Sequence, residues 1–296
     1  MHRTDDNYPT RLQHPIAPIP RLEPTVWGGE AHGPLDPASL IGFGEQGYLK
    51  RYNTVGDDWL PALRRELDQL GNDADESDPR VIREPNGSVR SVFEPHVLSD
   101  LVAQVIELDT VLPIARQLLG SDVYIHQARI NFMPGFTGSG FYWHSDFETW
   151  HAEDGMPAIR AVSCSVALTD NFSYNGSLMV MPGSHRTFYP CVGATPDNHH
   201  NTSLVRQDIG VPDRAVLTQA AERCGIDQFT GPAGTALWFD ANLMHGSGSN
   251  ITPFPRSNIF LVFNSVENAL TEPFAAARPR PEYLAARKVA APRYVS

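Results

Sequence analysis

The strongest constraint on this chain is where its turn residues fall. After Gly120 the sequence breaks into short strand-like runs at 122–133 (DVYIHQARINFM), 141–147, 161–169 (AVSCSVALT), 177–181, 235–239 and 258–266 (NIFLVFNSV). Pro134-Gly135, Asn175-Gly176, Pro182-Gly183 and Gly231-Pro232 separate them. Helical patterning comes mainly before these runs. Leu60, Leu63, Leu67 and Leu70 recur at helical spacing behind Asp57-Asp58, and Gly71 stops the pattern. Two further helices fit roughly 98–119, with Ser99 or Asp100 capping the first and Asp109 or Thr110 the second, and Gly120 as the stop. Helices first, then many short strands without alternating helices, argue against a doubly wound α/β fold. They predict an antiparallel barrel or sandwich, mainly β with flanking helices.

The remaining segments read as connections. Residues 1–35, rich in Pro, Gly and polar residues, predict an extended arm draped over the body or disordered at its tip. The charged stretch 72–95 reads as loop. Residues 184–230 have weak periodicity, and a connection that long predicts a functional lid or an insert with its own structure. This divides the chain into an arm (1–35) and one domain (36–296), with its β core at about 120–268 and the lid or insert at about 184–230.

Charge and cysteine usage narrow the partners. The 296 residues carry 23 Lys and Arg against 34 Asp and Glu, a net charge of −11. With no basic run, this argues against nucleic acid and anionic membranes. The N-terminus lacks an apolar h-region, and no stretch approaches 18 apolar residues, so neither secretion by a standard signal nor membrane spanning is expected. Cys164, Cys191 and Cys224 form no CxxC and no even framework, which predicts a reducing, cytoplasmic setting.

The chemistry concentrates in Phe141-Tyr142-Trp143-His144-Ser145-Asp146-Phe147. On a strand, residues two apart share a face, so His144 and Asp146 would present an imidazole and a carboxylate side by side. An HxD pair is a weak metal signal alone. A third ligand is available in His245, 101 residues on, after the apolar strand TALWF. Two His and one carboxylate on one face of a metal form the facial triad of non-haem Fe(II) oxygenases, whereas structural zinc would favour Cys. Arg256 follows His245 by 11 residues and opens the strand NIFLVFNSV. A guanidinium fork there suits the far carboxylate of a 2-oxo acid whose other end chelates the metal, and Ser247 could add a hydroxyl. On strand 122–133, Gln127, Arg129 and Asn131 form a polar row fit to line a wet cavity. Tyr124, Ala128, Ile130 and Phe132 would face the other way, and His126 away from the row. His126, His185, His199 and His200 read as structural or solvated; His151, close to the site in sequence, stays open.

These residues carry a resemblance. HxD, His and Arg in this order, with MPGSH (181–185) between, resemble the phytanoyl-CoA dioxygenase family. FYWHSDFETWHAEDGMP (141–157), QARIN (127–131), ALTDNFSYNGSLMVMPGSH (167–185), GPAGTALWFDANLMHGSGSN (231–250) and PRSNIFLVFNSVEN (255–268) resemble its ectoine-hydroxylating members, over roughly 30–285. The resemblance implies a double-stranded β-helix (jelly-roll or cupin-like) core. It implies Fe(II), 2-oxoglutarate and dioxygen, and hydroxylation of the compatible solute ectoine to 5-hydroxyectoine; homodimers are common in such families. Carried over by motif, His144, Asp146 and His245 would bind iron. Arg256 and Ser247 would hold 2-oxoglutarate, with Asn131 and Phe141 as helpers. Gln127, Arg129, Trp150, Phe239 and Phe260 would line the ectoine pocket. Arg129 could pair the ectoine carboxylate, and aromatic faces such as Trp150 and Phe239 could carry its delocalised cation. Two places depart from the family pattern: Met133, where Lys or Gln is frequent, and Ser139-Gly140, where a Lys-Glu pair is frequent. Two rivals stay open: a related dioxygenase acting on another small amino acid or metabolite, and a metal-free jelly-roll binding module. The intact ligand set with Arg256 argues against the second.

Overall fold

Residues 6–75 and 77–289 are described by a computed structural model. The chain begins with β1 (Ile19–Pro20), α1 (Pro37–Gln46), β2 (Tyr48–Arg51) and α2 (Leu60–Asn72). A hairpin of β3 (Val81–Arg83) and β4 (Val89–Phe93) follows, then α3 (Pro95–Leu98), α4 (Asp100–Glu107) and α5 (Leu112–Leu119). Next come β5 (Val123–Met133), β6 (Phe141–His144), α6 (Asp146–Thr149) with a π-helical turn over Trp150–Asp154, β7 (Ala161–Ala167) and β8 (Leu178–Val180). The chain continues through β9 (Thr187–Phe188), α7 (His200–Ser203), α8 (Arg214–Cys224), β10 (Asp227–Gln228), β11 (Ala236–Asp240), β12 (His245–Ser247) and β13 (Arg256–Ser265).

The strands form a seven-stranded sheet, in the order β2-β11-β7-β13-β5-β4-β3, and a four-stranded sheet, β10-β8-β12-β6. All their pairings are antiparallel. Period-two alternation gives the large sheet two buried faces. Cys164, Val166, Trp238, Ile259, Leu261 and Phe263 pack with Leu63, Val105 and Leu118 of the helices. The opposite face sends Ala167, Leu237, Phe239 and Phe260 to meet Leu178 and Val180 of the small sheet. The result is a mainly β, two-sheet jelly roll with helices on one face, the double-stranded β-helix core implied by the resemblance. Among the described residues, no helix is long and apolar enough to cross a membrane.

Several local expectations change. Ser99 does cap α4, its hydroxyl accepting from Val102 N at 3.4 Å, and Gly120 ends α5 in the left-handed region (φ 60°). Val111 takes the N-cap of α5, without a side-chain bond, in place of Asp109 or Thr110. The helix α2 runs through Gly71 to Asn72, because the Gly71 backbone stays helical. The stretch 72–95 is not all loop: it holds the β3–β4 hairpin, and β4 extends the large sheet beside β5. The strand expected over 141–147 stops at His144.

Two β-bulges reset side-chain directions. On β5, Val262 faces Gln127 and Phe263 faces Ile125, so His126 is the extra residue. Val123 and Ile125 therefore join Ala128, Ile130 and Phe132 on the helix side. Tyr124 turns to the opposite face, where its hydroxyl accepts from Asn264 Nδ2 at 2.8 Å. His126 points toward the Trp150 ring (5.0 Å between centroids) and lies 3.5 Å from Asp154. An inserted residue breaks strict alternation in this way, and no composition signal marks it. On β4, Ile82 faces Ser91 and Arg83 faces Val89, leaving Arg90 as the extra residue.

The described part of the arm is packed on the body; residues 1–5 lie outside the described residues. Tyr8 is fully buried against Phe147 and Phe188, and β1 pairs with β9. Arg11 Nε reaches Glu148 Oε1 at 2.7 Å, and its Nη2 reaches Glu148 Oε2 at 2.9 Å and Glu153 Oε1 at 3.1 Å, all buried. Arg11→Ala would take the guanidinium away from two buried carboxylates, leaving Glu148 with Thr10 and Glu153 with His199. Such truncations cost about 3–5 kcal/mol. A clearly lowered denaturation midpoint is therefore expected, and an unchanged midpoint would show that the arm does not brace this segment.

Candidate active site

Local chain geometry assembles the cluster. His144 ends β6 and His245 opens β12, and the two are direct cross-strand partners with ring centroids 4.2 Å apart. Asp146 opens the helical turn α6 instead of continuing the strand. The turn still brings its carboxylate back: Oδ1 lies 3.5 Å from His144 Nε2, and Oδ2 3.8 Å from His245 Nε2. One ligand atom from each residue falls within 4.8 Å of the others, and all three residues are buried.

The protonation pattern suits a metal. His144 Nδ1 lies 2.8 Å from Tyr142 O and His245 Nδ1 2.9 Å from Leu243 O. A carbonyl only accepts, so each Nδ1 donates and each Nε2 is the nitrogen turned toward Asp146. Burial, with His144 adding to it, pushes His245 down to about 4, so it is neutral at pH 7. Burial pushes the Asp146 carboxyl up, but the two imidazoles and Arg129 outweigh it and hold Asp146 well below the usual carboxylate range. One carboxylate and two imidazole nitrogens make the N₂O donor set of a facial triad. His126, His151, His185 and His199 stand apart from this cluster. His151 Nδ1 meets Met156 O at 2.8 Å and its ring stacks on Phe274, while His199 Nδ1 meets Glu153 Oε1 at 2.8 Å.

A cavity opens beside the triad, and it contains most of the residues singled out from sequence. Asn131, Phe141, Ser247 and Arg256 line one part of it. Arg256 is buried (6% exposed), and burial pushes it down to about 10, with the nearby Arg90 charge contributing. Its hydrogen bonds go to Asn258 Oδ1 (3.2 Å) and, from Nη2, to Met133 Sδ (3.5 Å), while its Nε has no partner. No carboxylate among the described residues pairs with it. A buried cation with a thioether and an amide for company is incomplete, and an anionic ligand would complete it. Met133 supplies only a weak acceptor at this point.

Gln127, Arg129, Trp150 and Phe260 line the other part. Gln127 binds in both directions: its Nε2 donates to Leu284 O at 2.7 Å, and its Oε1 accepts from Arg129 Nη1 at 2.9 Å. Arg129 lies over the Phe260 ring at 4.9 Å. Phe239 packs on the His245 ring at 5.0 Å, behind the ligand and outside the cavity lining. The sequence reading missed Arg90, Ser91 and Phe93 of β4, Thr149 and Arg280, and it gave the segment of Ser203 and Gln207 only as part of a lid or insert; all of these line the cavity. For β4 a signal existed: Asn86-Gly87 between Val81-Ile82 and Val89–Phe93 is a hairpin pattern. For Arg280 none did, since only its buried pairing with Asp154 (2.8 and 2.6 Å) holds it there.

A jelly roll with a His-Asp-His cluster beside a cation-lined cavity defines a non-haem iron oxygenase of the 2-oxo-acid-dependent class. The phytanoyl-CoA dioxygenase (PhyH) family matches residues 43–258, and the chain belongs to that family. It is 59% identical over 286 residues to an ectoine dioxygenase of Nocardia farcinica, covering 95% of this chain and 94% of that one. It is 53% identical over 285 residues to an ectoine dioxygenase of Streptomyces coelicolor, covering 95% of each. Its fold matches crystal structures of EctD from S. alaskensis. The structure with 2-oxoglutarate and 5-hydroxyectoine gives a TM-score of 0.87 at 42% identity, covering 97% of this chain and 96% of that one. The structure with bound Fe gives 0.86 at 42% identity over 97% of both.

Proposed function

We propose that this chain is an iron- and 2-oxoglutarate-dependent dioxygenase that hydroxylates ectoine to 5-hydroxyectoine. The atoms balance as ectoine, 2-oxoglutarate and O₂ giving 5-hydroxyectoine, succinate and CO₂. The preformed His144–Asp146–His245 cluster beside the unpaired Arg256 carries the reading. The relatives named ectoine dioxygenase and the EctD complex with 2-oxoglutarate and 5-hydroxyectoine support the substrate. Bound iron supplies dioxygen activation and a chelating point for the 2-oxo acid.

The chain's own residues have separate tasks in this reading. His144, Asp146 and His245 hold the metal and leave the cavity side open. Arg256 holds the distal carboxylate of 2-oxoglutarate, with Ser247, Asn131 and Phe141 around it. Gln127 fixes Arg129, which pairs the ectoine carboxylate, while Trp150 and Phe260 offer rings to its delocalised cation. Phe239 acts through His245, by packing behind it. Succinate release that depends on ectoine, Fe(II) and 2-oxoglutarate together tests the assignment; 2-oxoglutarate consumption indifferent to ectoine would redirect it to another substrate.

The segment 184–230 serves as a lid in the same reading. Ser203, Leu204 and Gln207 reach the cavity from it. Burying substrate beneath it would exclude water from the reacting centre. Protease cleavage within 195–212 is expected to slow when Fe(II), 2-oxoglutarate and ectoine are all present; equal cleavage with and without them contradicts a closing lid. The reading also places the enzyme in the cytoplasm, as a homodimer, which sedimentation would check.

A further inference from the structure

Four guanidiniums line the cavity, those of Arg90, Arg129, Arg256 and Arg280, against one carboxylate, Asp146. Arg280 is neutralised by Asp154, and Arg129 and Arg256 already have tasks. Arg90 has none, yet it is the bulge residue of β4. Without the bulge, strict alternation would turn residue 90 away from Ser91, whose hydroxyl bonds Asn131 Oδ1 at 2.8 Å on the cavity face. A bulge next to a site re-aims a side chain, and here it turns both Arg90 and Ser91 into the cavity.

Strand register says which end of the cavity Arg90 serves. Phe93, Arg129 and Phe260 form one cross-strand row, and Ser91, Asn131 and Asn258 the next. Beyond that second row lie Met133 and Arg256, paired with each other. Arg90 precedes Ser91 in the same direction, so it belongs to the Arg256 end and not to the Arg129 end. It lies over the Phe141 ring at 5.5 Å, and that ring meets His144 at 4.9 Å. Its Nη1 carries its protein contacts, to Glu84 Oε1 and to Ser139 O at 3.4 Å. Glu84 is itself buried, with Oε2 unpartnered, so it holds Arg90 in place from behind. Glu84 answers the Arg90 charge from behind, whereas Arg256 has no carboxylate partner among the described residues and feels the Arg90 charge, so an anion between the two guanidiniums is favoured by both.

We propose that Arg90 is a second positioning residue for the cosubstrate, placing the distal carboxylate of 2-oxoglutarate together with Arg256 and selecting a 2-oxo dicarboxylate over a 2-oxo monocarboxylate. This rests on the 2-oxoglutarate reading above. A five-carbon 2-oxo acid that ends in a methyl group, 2-oxopentanoate, keeps the chelating end and loses the group Arg90 recognises.

The test compares the two acids by anaerobic calorimetric titration into the Fe(II)-loaded protein. In Arg90→Gln, affinity for 2-oxoglutarate should fall about tenfold, the scale of one charge-assisted hydrogen bond. Affinity for 2-oxopentanoate and the KM for ectoine should stay within about twofold, and Arg90→Lys should recover part of the loss. A merely structural role weakens both acids equally, and that outcome, or an unchanged 2-oxoglutarate affinity, overturns the proposal. Should Arg90→Gln not fold, Glu84→Gln/Arg90→Gln removes the stranded carboxylate and carries the same comparison. Wild-type protein that binds neither acid would instead defeat the underlying cosubstrate reading.

Discussion

His144→Ala, Asp146→Ala and His245→Ala should each abolish ectoine hydroxylation, with bound iron falling in parallel. Each removes one of the three residues that hold the metal in the proposed function. Asp146 is the carboxylate shared between both imidazoles, at 3.5 and 3.8 Å, so its loss also removes the charge that balances the metal. Folding should survive, because none of the three belongs to an apolar cluster of the core. Metal content and turnover measured on each purified variant decide the point. Full iron with normal turnover in any one variant removes that residue from the ligand set.

Arg256→Ala should leave iron binding nearly intact and cripple the cosubstrate. Truncating one member of a buried, hydrogen-bonded charge pair costs about 2–5 kcal/mol. At about 1.4 kcal/mol per decade, 2-oxoglutarate affinity should fall roughly thirty- to several-thousand-fold. Arg256→Lys should recover only part, because an ammonium cannot make a planar two-point contact. Were Arg256 only a strand-end residue with a solvated partner, the loss would be about 1 kcal/mol or less. Its burial, and the lack of any carboxylate partner among the described residues, speak for the larger figure. The charge-transfer band of the anaerobic Fe(II) enzyme, followed as 2-oxoglutarate is added, gives the affinity. A value within about threefold of wild type would withdraw Arg256 from cosubstrate binding.

The site was legible where chemistry and spacing coincide. His144, His245 and Arg256 lie at strand ends, with Asp146 two residues beyond one, and strand ends are what turn residues mark. The polar row Gln127, Arg129 and Asn131 was legible because period two is rigid over an uninterrupted strand. The same logic failed at Tyr124 and His126, where one inserted residue reverses the faces. It failed again at Asp146, where the shared direction came from a helical turn instead of a continued strand. Arg90 was hidden twice, by a hairpin read as loop and by a bulge within it. Arg280 and Gln207 reach the cavity from irregular segments, and only tertiary pairing puts them there. The mainly β class with flanking helices followed from helices preceding strands, a pattern that survives such local errors, and the jelly roll followed from the family resemblance.

One measurement bears most directly on the claim that this chain hydroxylates ectoine at the expense of 2-oxoglutarate. The full chain is incubated with Fe(II), 2-oxoglutarate, ectoine and ¹⁸O₂, and the products are read by NMR and mass spectrometry. The account predicts 5-hydroxyectoine carrying one labelled oxygen and an equal amount of succinate carrying the other. Succinate formed without hydroxylated ectoine, or hydroxyectoine without the label, would contradict it.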